Sequence, residues 1–131
     1  MQLYIDTSAL LKLLTAESES GALRGYLAEA GDDTKFTAAI TRTELTRAAA
    51  RLRNADIARQ AKLLLTRLHF ADITIALLDA AAELRPPELR TLDAIHLAAA
   101  LIAPDLRALV TYDSRLAAAA TTAGLTVVSP A

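Results

Sequence analysis

The sequence predicts an α/β fold, a three-layer arrangement in which a short parallel sheet of about five strands carries helices on both faces. Three observations lead there. Short apolar, β-prone runs (residues 3–5, 35–38 and 108–111) alternate with longer helix-forming stretches along the whole chain. That alternation is what parallel strands joined by covering helices produce. The composition is 53% hydrophobic and rich in Ala and Leu, which favours helix and argues against disorder. The length, 131 residues, suits one domain spanning 1–131 with a single sizeable core, and no repeat, linker or low-complexity tract divides it. With no Trp and only two Phe, that core has to be aliphatic.

The elements follow in order. Residues 3–5 read as the first strand, and a helix starts at Thr7 or Ser8 and runs to Leu14. A second helix is predicted over 17–30, with Ser18 or Ser20 as its N-cap. Gly31-Asp32-Asp33 makes a turn, and 35–38 is the second strand. Thr41-Arg42-Thr43-Glu44 fits the S/T-x-x-E capping box and opens a helix to about Arg53. Arg47 and Arg51 share a face of that helix with Glu44. Asn54-Ala55-Asp56 is a break, and 57–68 is a further helix. Lying between the second and third strands, these two helices are candidates to project as a pair. Residues 69–73 form a weak strand. A helix from Thr74 or Ile75 to near Arg85 is stopped by Pro86-Pro87. The next helix covers 93–101 and is broken by Pro104-Asp105. A strand over 108–111 leads to a helix over 116–122, with Gly124 as its C′ residue. Residues 125–128 are the last strand.

Several classes are disfavoured at this point. The absence of Cys rules out disulfides and thiolate metal sites and makes a reducing cytoplasm the default compartment. The first residues lack the basic region of a signal peptide, and Asp6 interrupts their apolar run. No apolar stretch reaches the roughly 18 residues of a membrane span. A net charge of −1 argues against a strongly basic nucleic-acid binder. The charge is unevenly spread, however: Arg42, Arg47, Arg51, Arg53, Arg59, Lys62 and Arg67 face only Glu44 and Asp56 over residues 42–67. Such a segment is either a solvated helix surface or a local patch for an anionic partner.

Four carboxylates carry the chemistry. Asp6 ends the first strand, Glu44 lies in the first turn after the second, Asp93 opens the helix before the fourth strand, and Asp113 follows that strand. Parallel topology sends strand C-termini to one edge, where open α/β sheets bind ligands, so the four can share one crevice. Each has an ordinary alternative. Asp6 and Asp113 suit N-caps, Glu44 the return half of its capping box, and Asp93 the helix dipole. Together they are harder to explain away, because clustered, semi-buried carboxylates are costly without partners. A divalent cation removes that cost, and oxygen-only ligands with retained waters suit Mg²⁺ or Mn²⁺. His96, three residues after Asp93, reads as a packed or hydrogen-bonded histidine rather than a ligand, and His69 has no role. Two histidines without cysteine make a structural zinc site a poor reading.

The sequence resembles the PIN-domain ribonucleases and, within them, the VapC-type toxins of bacterial toxin–antitoxin pairs. The resemblance rests on Tyr4-Ile5-Asp6-Thr7-Ser8-Ala9-Leu10, on Glu44 in Thr41-Arg42-Thr43-Glu44-Leu45, on Thr91-Leu92-Asp93-Ala94-Ile95-His96-Leu97-Ala98 and on Val110-Thr111-Tyr112-Asp113-Ser114-Arg115-Leu116. It spans nearly the full chain in the right order. It implies the PIN-like three-layer fold and an acidic metal site made of Asp6, Glu44, Asp93 and Asp113. Ser8 and Thr111 would support that site by orienting carboxylates or a metal-bound water. It further implies hydrolysis of RNA, with transfer RNA and ribosomal RNA both open as targets, a cognate antitoxin that blocks the site, and a homodimer. Arg47 and Arg51 would contact either RNA or antitoxin.

Rival readings make other demands. A phosphatase or phosphotransferase using Asp6 as nucleophile commonly has a second Asp two residues on, where this chain has Ser8. A receiver-type signalling domain carries its acceptor Asp after a middle strand and an acidic pair before it, and neither is found. A non-catalytic PIN-fold binding module does not need all four acidic positions filled. Ser8 has no His–Asp partnership of the kind a serine hydrolase needs.

Overall fold

The computed structural model describes residues 1–131. Strand β1 (Gln2–Ile5) is followed by helices α1 (Thr7–Leu14) and α2 (Ser20–Glu29), then β2 (Thr34–Ala38), α3 (Thr41–Arg51), α4 (Ala55–Leu65) and β3 (His69–Ala71). Helices α5 (Ile75–Ala82) and α6 (Thr91–Leu101), strand β4 (Leu106–Val110), α7 (Ser114–Thr122) and β5 (Val127–Val128) complete the chain. The five strands form one sheet in the order β3-β2-β1-β4-β5, and every pairing is parallel. The chain moves outward from β1 through β2 to β3, then returns to β1's other side for β4 and β5. That reversal places the topological switch point beside the C-terminus of β1, where open α/β sheets form their crevice.

Alternation along the central strands divides the core in two. Leu3 and Ile5 of β1, with Ala108 and Val110 of β4, point to one face and pack with Leu10, Leu23, Leu45, Ala49, Ala61 and Leu65 of α1 to α4. Tyr4 and Leu109 point to the other and pack with residues of α5, α6 and α7, among them Leu77, Leu97 and Leu116. Strand side chains alternate with a period of two, so strands buried on both faces read as continuous apolar runs. No helix is long and apolar enough to cross a membrane.

Three expectations fail in informative ways. Helices α3 and α4 do not project. They pack on each other and on α1, and Leu45, Ala49, Ala61 and Leu65 are buried in one cluster with Leu3 and Ile5 of β1, because each helix carries an apolar stripe that needs cover. Helix α2 starts at Ser20 instead of Glu17, and no side chain caps it. Ser20 Oγ instead lies 2.8 and 2.9 Å from the carbonyls of Lys12 and Thr15 and accepts from the Glu17 N–H, which ties α2 to the end of α1. The capping box of α3 does not form either. Its N-cap is Ile40, without a side-chain bond. Thr41 Oγ1 pairs with Thr37 Oγ1 at 2.8 Å, and Glu44 turns elsewhere.

The remaining differences are at element ends. Helix α4 starts earlier than predicted because Asn54 caps it, accepting from the N–H groups of Asp56 and Ile57. Helix α7 likewise starts at Ser114 because Asp113 is its N-cap. Gly124, at φ +91°, follows α7 in the left-handed conformation that suits a C′ glycine.

Candidate active site

All four acidic residues line one cleft of about 350 Å³, together with Thr7, Ser8, Arg90, Thr91, Leu92 and His96. Each carboxylate comes from a different element end at the C-terminal edge of the sheet, as parallel strands require. Asp6 and Asp93 are buried. Glu44 and Asp113 are half-buried, with side chains 23% and 26% exposed.

Asp6 is the most constrained. Oδ1 accepts from Ser8 Oγ at 2.7 Å and from the N–H of Ala9 at 3.0 Å, so it does cap α1. Oδ2 accepts from Thr111 Oγ1 at 2.6 Å. Burial pushes the Asp6 carboxyl above its ordinary range, against the opposing pull of the Thr111, Ser8 and Ala9 donors. Ser8 and Thr111 also clamp the loop after β4. The N–H of Tyr112 donates to Ser8 Oγ and the N–H of Asp113 donates to Thr111 Oγ1, both at 3.0 Å. The two hydroxyls therefore lock the end of β1 to the turn that carries Asp113.

Glu44 is held by a chain of buried hydrogen-bonding groups. The N–H of Ala38 donates to the Tyr4 hydroxyl oxygen at 3.0 Å. Burial holds the Tyr4 phenol well above its ordinary pKa, so it keeps its single proton. The hydroxyl pairs with His96 Nδ1, 2.5 Å away. On the other side of the ring, His96 Nε2 donates to Glu44 Oε1 at 2.7 Å, because a carboxylate only accepts. Thr7 Oγ1 donates to the same oxygen at 2.9 Å. Burial alone would raise the Glu44 carboxyl, but the His96 and Thr7 bonds outweigh it and leave Glu44 below its usual value. A ligand or carboxylate oriented in this way by outer hydrogen bonds is typical of metal-dependent sites.

Asp113 caps α7 through Oδ1, which accepts from the N–H groups of Arg115 and Leu116. Its other oxygen, Oδ2, accepts from Arg90 Nη2 at 3.0 Å. Arg90 Nε donates to Asp93 Oδ2 at 3.1 Å. One guanidinium thus spans two carboxylates. No three His, Asp or Glu side chains stand as a ready-made coordination shell. Hydrogen-bond donors and Arg90 hold each carboxylate in its own place. By donor chemistry the cleft suits a hard divalent cation: its acidic donors are all oxygens, and the nitrogens of its only histidine are both engaged, with Tyr4 and Glu44.

Sequence reading missed Arg90, Thr7 and the Tyr4–His96 pair as parts of this site. Arg90 and His96 each lie three residues from Asp93 on the same helix end, a spacing that makes neighbours. Tyr4 and Thr7 flank Asp6 but carried no separate signal. Arg47 and Arg51 lie outside the cleft, where they and Arg53 line a shallow basic hollow.

The PIN domain family profile matches residues 3–122. The chain belongs to the PIN-domain family. Among curated proteins it is 42% identical to Ribonuclease VapC46 of Mycobacterium tuberculosis over 130 residues, covering 98% of this chain and 97% of that one. It is 40% identical to Ribonuclease VapC47 of the same species over 131 residues, covering 98% and 96%. Within the PIN-domain family, it is a member of the VapC group. Two solved structures share its fold. One is a toxin–antitoxin complex from Klebsiella pneumoniae, with a TM-score of 0.74 at 23% identity, covering 100% of this chain and 98% of that chain. The other is Mycobacterium tuberculosis VapC20, a sarcin–ricin loop cleaving toxin, with a TM-score of 0.76 at 18% identity, covering 98% and 100%.

Proposed function

We propose that this VapC-type chain is a cytoplasmic toxin endoribonuclease that hydrolyses RNA phosphodiester bonds with Mg²⁺ or Mn²⁺ held by Asp6, Asp93, Glu44 and Asp113. One observation carries the reading: four carboxylates from four element ends line a single cleft at the sheet's switch point. Asp6 and Asp93 are the principal ligands, and Glu44 and Asp113 complete the site directly or through water. When bound, the ion supplies Lewis-acid polarisation of the phosphate and a lowered pKa for the attacking water. The protein does the positioning. Ser8, Thr111 and the Ala9 N–H fix Asp6, while His96 and Thr7 fix Glu44 through Oε1. Oε2 is then the Glu44 oxygen left for a water or an ion. No side chain serves as nucleophile.

An antitoxin covering the cleft and a second copy of the chain are the partners this reading assigns. Apolar side chains exposed on α5 and after α6, among them Ile75 (79% exposed) and Ile102 (61%), offer surface for protein contact. The test is cleavage of total RNA with Mn²⁺ or Mg²⁺, with EDTA, and with Asp6→Asn and Asp93→Asn. Both variants and EDTA are expected to lower the rate at least 100-fold. Equal cleavage by wild type and both variants would sink the site assignment.

A further inference from the structure

Arg90 is the only Lys or Arg lining the acidic cleft. It is the N-cap residue of α6 and makes no capping bond. Its side chain is 58% exposed, whereas the Asp93 and Asp113 side chains it touches are 11% and 26% exposed. It takes the one oxygen of Asp113 that does not cap α7, and one oxygen of Asp93, the two carboxylates that flank the α6 and α7 N-termini. Clustered carboxylates repel, and a cation placed between two of them offsets that repulsion. A divalent ion bound by these carboxylates needs the same oxygens, and its charge repels the guanidinium. Arg90 and the ion therefore compete.

The displaced guanidinium has somewhere to go. Arg90 also walls a second hollow of about 490 Å³ immediately beside the cleft. That hollow has Leu89 and Ala119 in its lining, with Arg115 as a second basic residue and Glu88 as its one acidic residue. RNA approaching an acidic cleft needs cationic contacts on its flanking phosphates, and each such contact adds to the salt dependence of binding. Arginine presents a planar donor fork that matches phosphate oxygens. An apolar floor beside a guanidinium also suits an unstacked base of single-stranded RNA.

We propose that Arg90 is an exchangeable cation of the active site. It neutralises Asp93 and Asp113, yields their oxygens to the divalent ion, and then binds the phosphate next to the scissile one at the mouth of the neighbouring hollow. This rests on the metal-dependent reading of the cleft. A plain structural brace, tying the start of α6 to the start of α7, would behave differently.

The test uses full-length wild type, Arg90→Gln and Arg90→Lys, with Asp93→Asn as control. Mn²⁺ affinity is read by calorimetric titration without RNA. KM and kcat are read at saturating Mn²⁺ on an RNA oligonucleotide carrying a mapped cleavage site, across a salt series. Arg90→Gln is expected to bind Mn²⁺ at least threefold tighter, because a competitor is gone. The same variant should raise KM about tenfold with a smaller change in kcat, and its salt slope should fall by about 0.7, the value of one phosphate contact on single-stranded RNA. Arg90→Lys should fall between. Opposite signs for metal and RNA are the signature. Weaker or unchanged Mn²⁺ binding by Arg90→Gln overturns the exchange, and an unchanged KM with an unchanged salt slope overturns the phosphate contact. A wild type that binds no Mn²⁺, or whose cleavage survives EDTA, refutes the metal reading itself, an outcome separable from either.

Discussion

Removing one oxygen atom in the core should loosen the active site. In Tyr4→Phe the ring stays in place, edge-on to Phe36 with centroids 5.1 Å apart, but two buried partners are orphaned. The Ala38 N–H loses its acceptor and His96 Nδ1 loses its hydrogen-bond partner. Ala38 and His96 are 0% and 3% exposed, so water does not replace the hydroxyl without rearrangement. Each unsatisfied buried group costs about 1–3 kcal/mol. Part of this is offset because Phe is cheaper to desolvate, so a net loss of about 2–4 kcal/mol is expected. For a chain of this length that lowers Tm by roughly 7–15 °C and leaves a folded protein, since domains of this size are stable by about 5–15 kcal/mol. The functional consequence is separate. The His96 ring loses the hydroxyl that holds it at Nδ1, and its Nε2 bond to Glu44 is no longer fixed from behind. Disturbing such an outer partner typically costs about 10–100-fold in metal affinity or activity.

Two measurements separate the parts: urea unfolding, and RNA cleavage at a temperature where both proteins are folded. A control of comparable instability is needed, and Leu23→Ala provides it. Leu23 is fully buried on α2 and does not line the cleft, and its truncation should cost about 2–5 kcal/mol with cleavage unchanged. If Tyr4→Phe is destabilised but cleaves at the wild-type rate, the hydrogen-bond chain is a folding device only, and its role in positioning Glu44 is refuted.

Two further outcomes follow from the structure. Asp33 is buried beside Arg107, which donates to it through Nε and Nη2, and lies 3.4 Å from the N-terminal ammonium. The Arg107 hydrogen bonds take its carboxyl from 3.8 to about 2. A carboxyl depressed in the folded state stabilises above its unfolded value and loses that contribution as pH falls toward its folded one. Asp33→Asn should therefore lower the urea midpoint at neutral pH and flatten its fall between about pH 4 and pH 2. Gly124→Ala places a Cβ on a residue at φ +91°. It should cost about 1–2 kcal/mol, seen as a lower urea midpoint with an unchanged m value and unchanged RNA cleavage.

The architecture was legible because strand and helix signals alternate strongly and the strands are short and apolar. What stayed hidden was set by tertiary contact. The sheet order, with β1 in the centre, depends on which strands pair and not on any local pattern. The apolar stripes of α3 and α4 were visible, yet nothing in them says whether they cover the sheet or stand away from it. The edge strands β3 and β5, of three and two residues, are shorter than their apolar segments suggest because only part of each reaches a partner.

Glu44 shows most clearly where local reading stops. Thr41-Arg42-Thr43-Glu44 satisfies the capping-box pattern, and that pattern would turn the carboxylate back onto its own helix. In the structure Ile40 is the N-cap and Thr41 is engaged with Thr37. The carboxylate is drawn across the cleft by His96 and Thr7 instead. A solvent-exposed cap of this kind contributes on the order of 1 kcal/mol, whereas hydrogen bonds to a charged group contribute about 1.5–3 kcal/mol each. Two such donors outweigh the cap. They come from residues 37 positions before and 52 positions after Glu44, and one of them, His96, is held on its other side by Tyr4 of β1. The motif was real as a pattern, and its carboxylate was taken by partners that only the folded chain brings near.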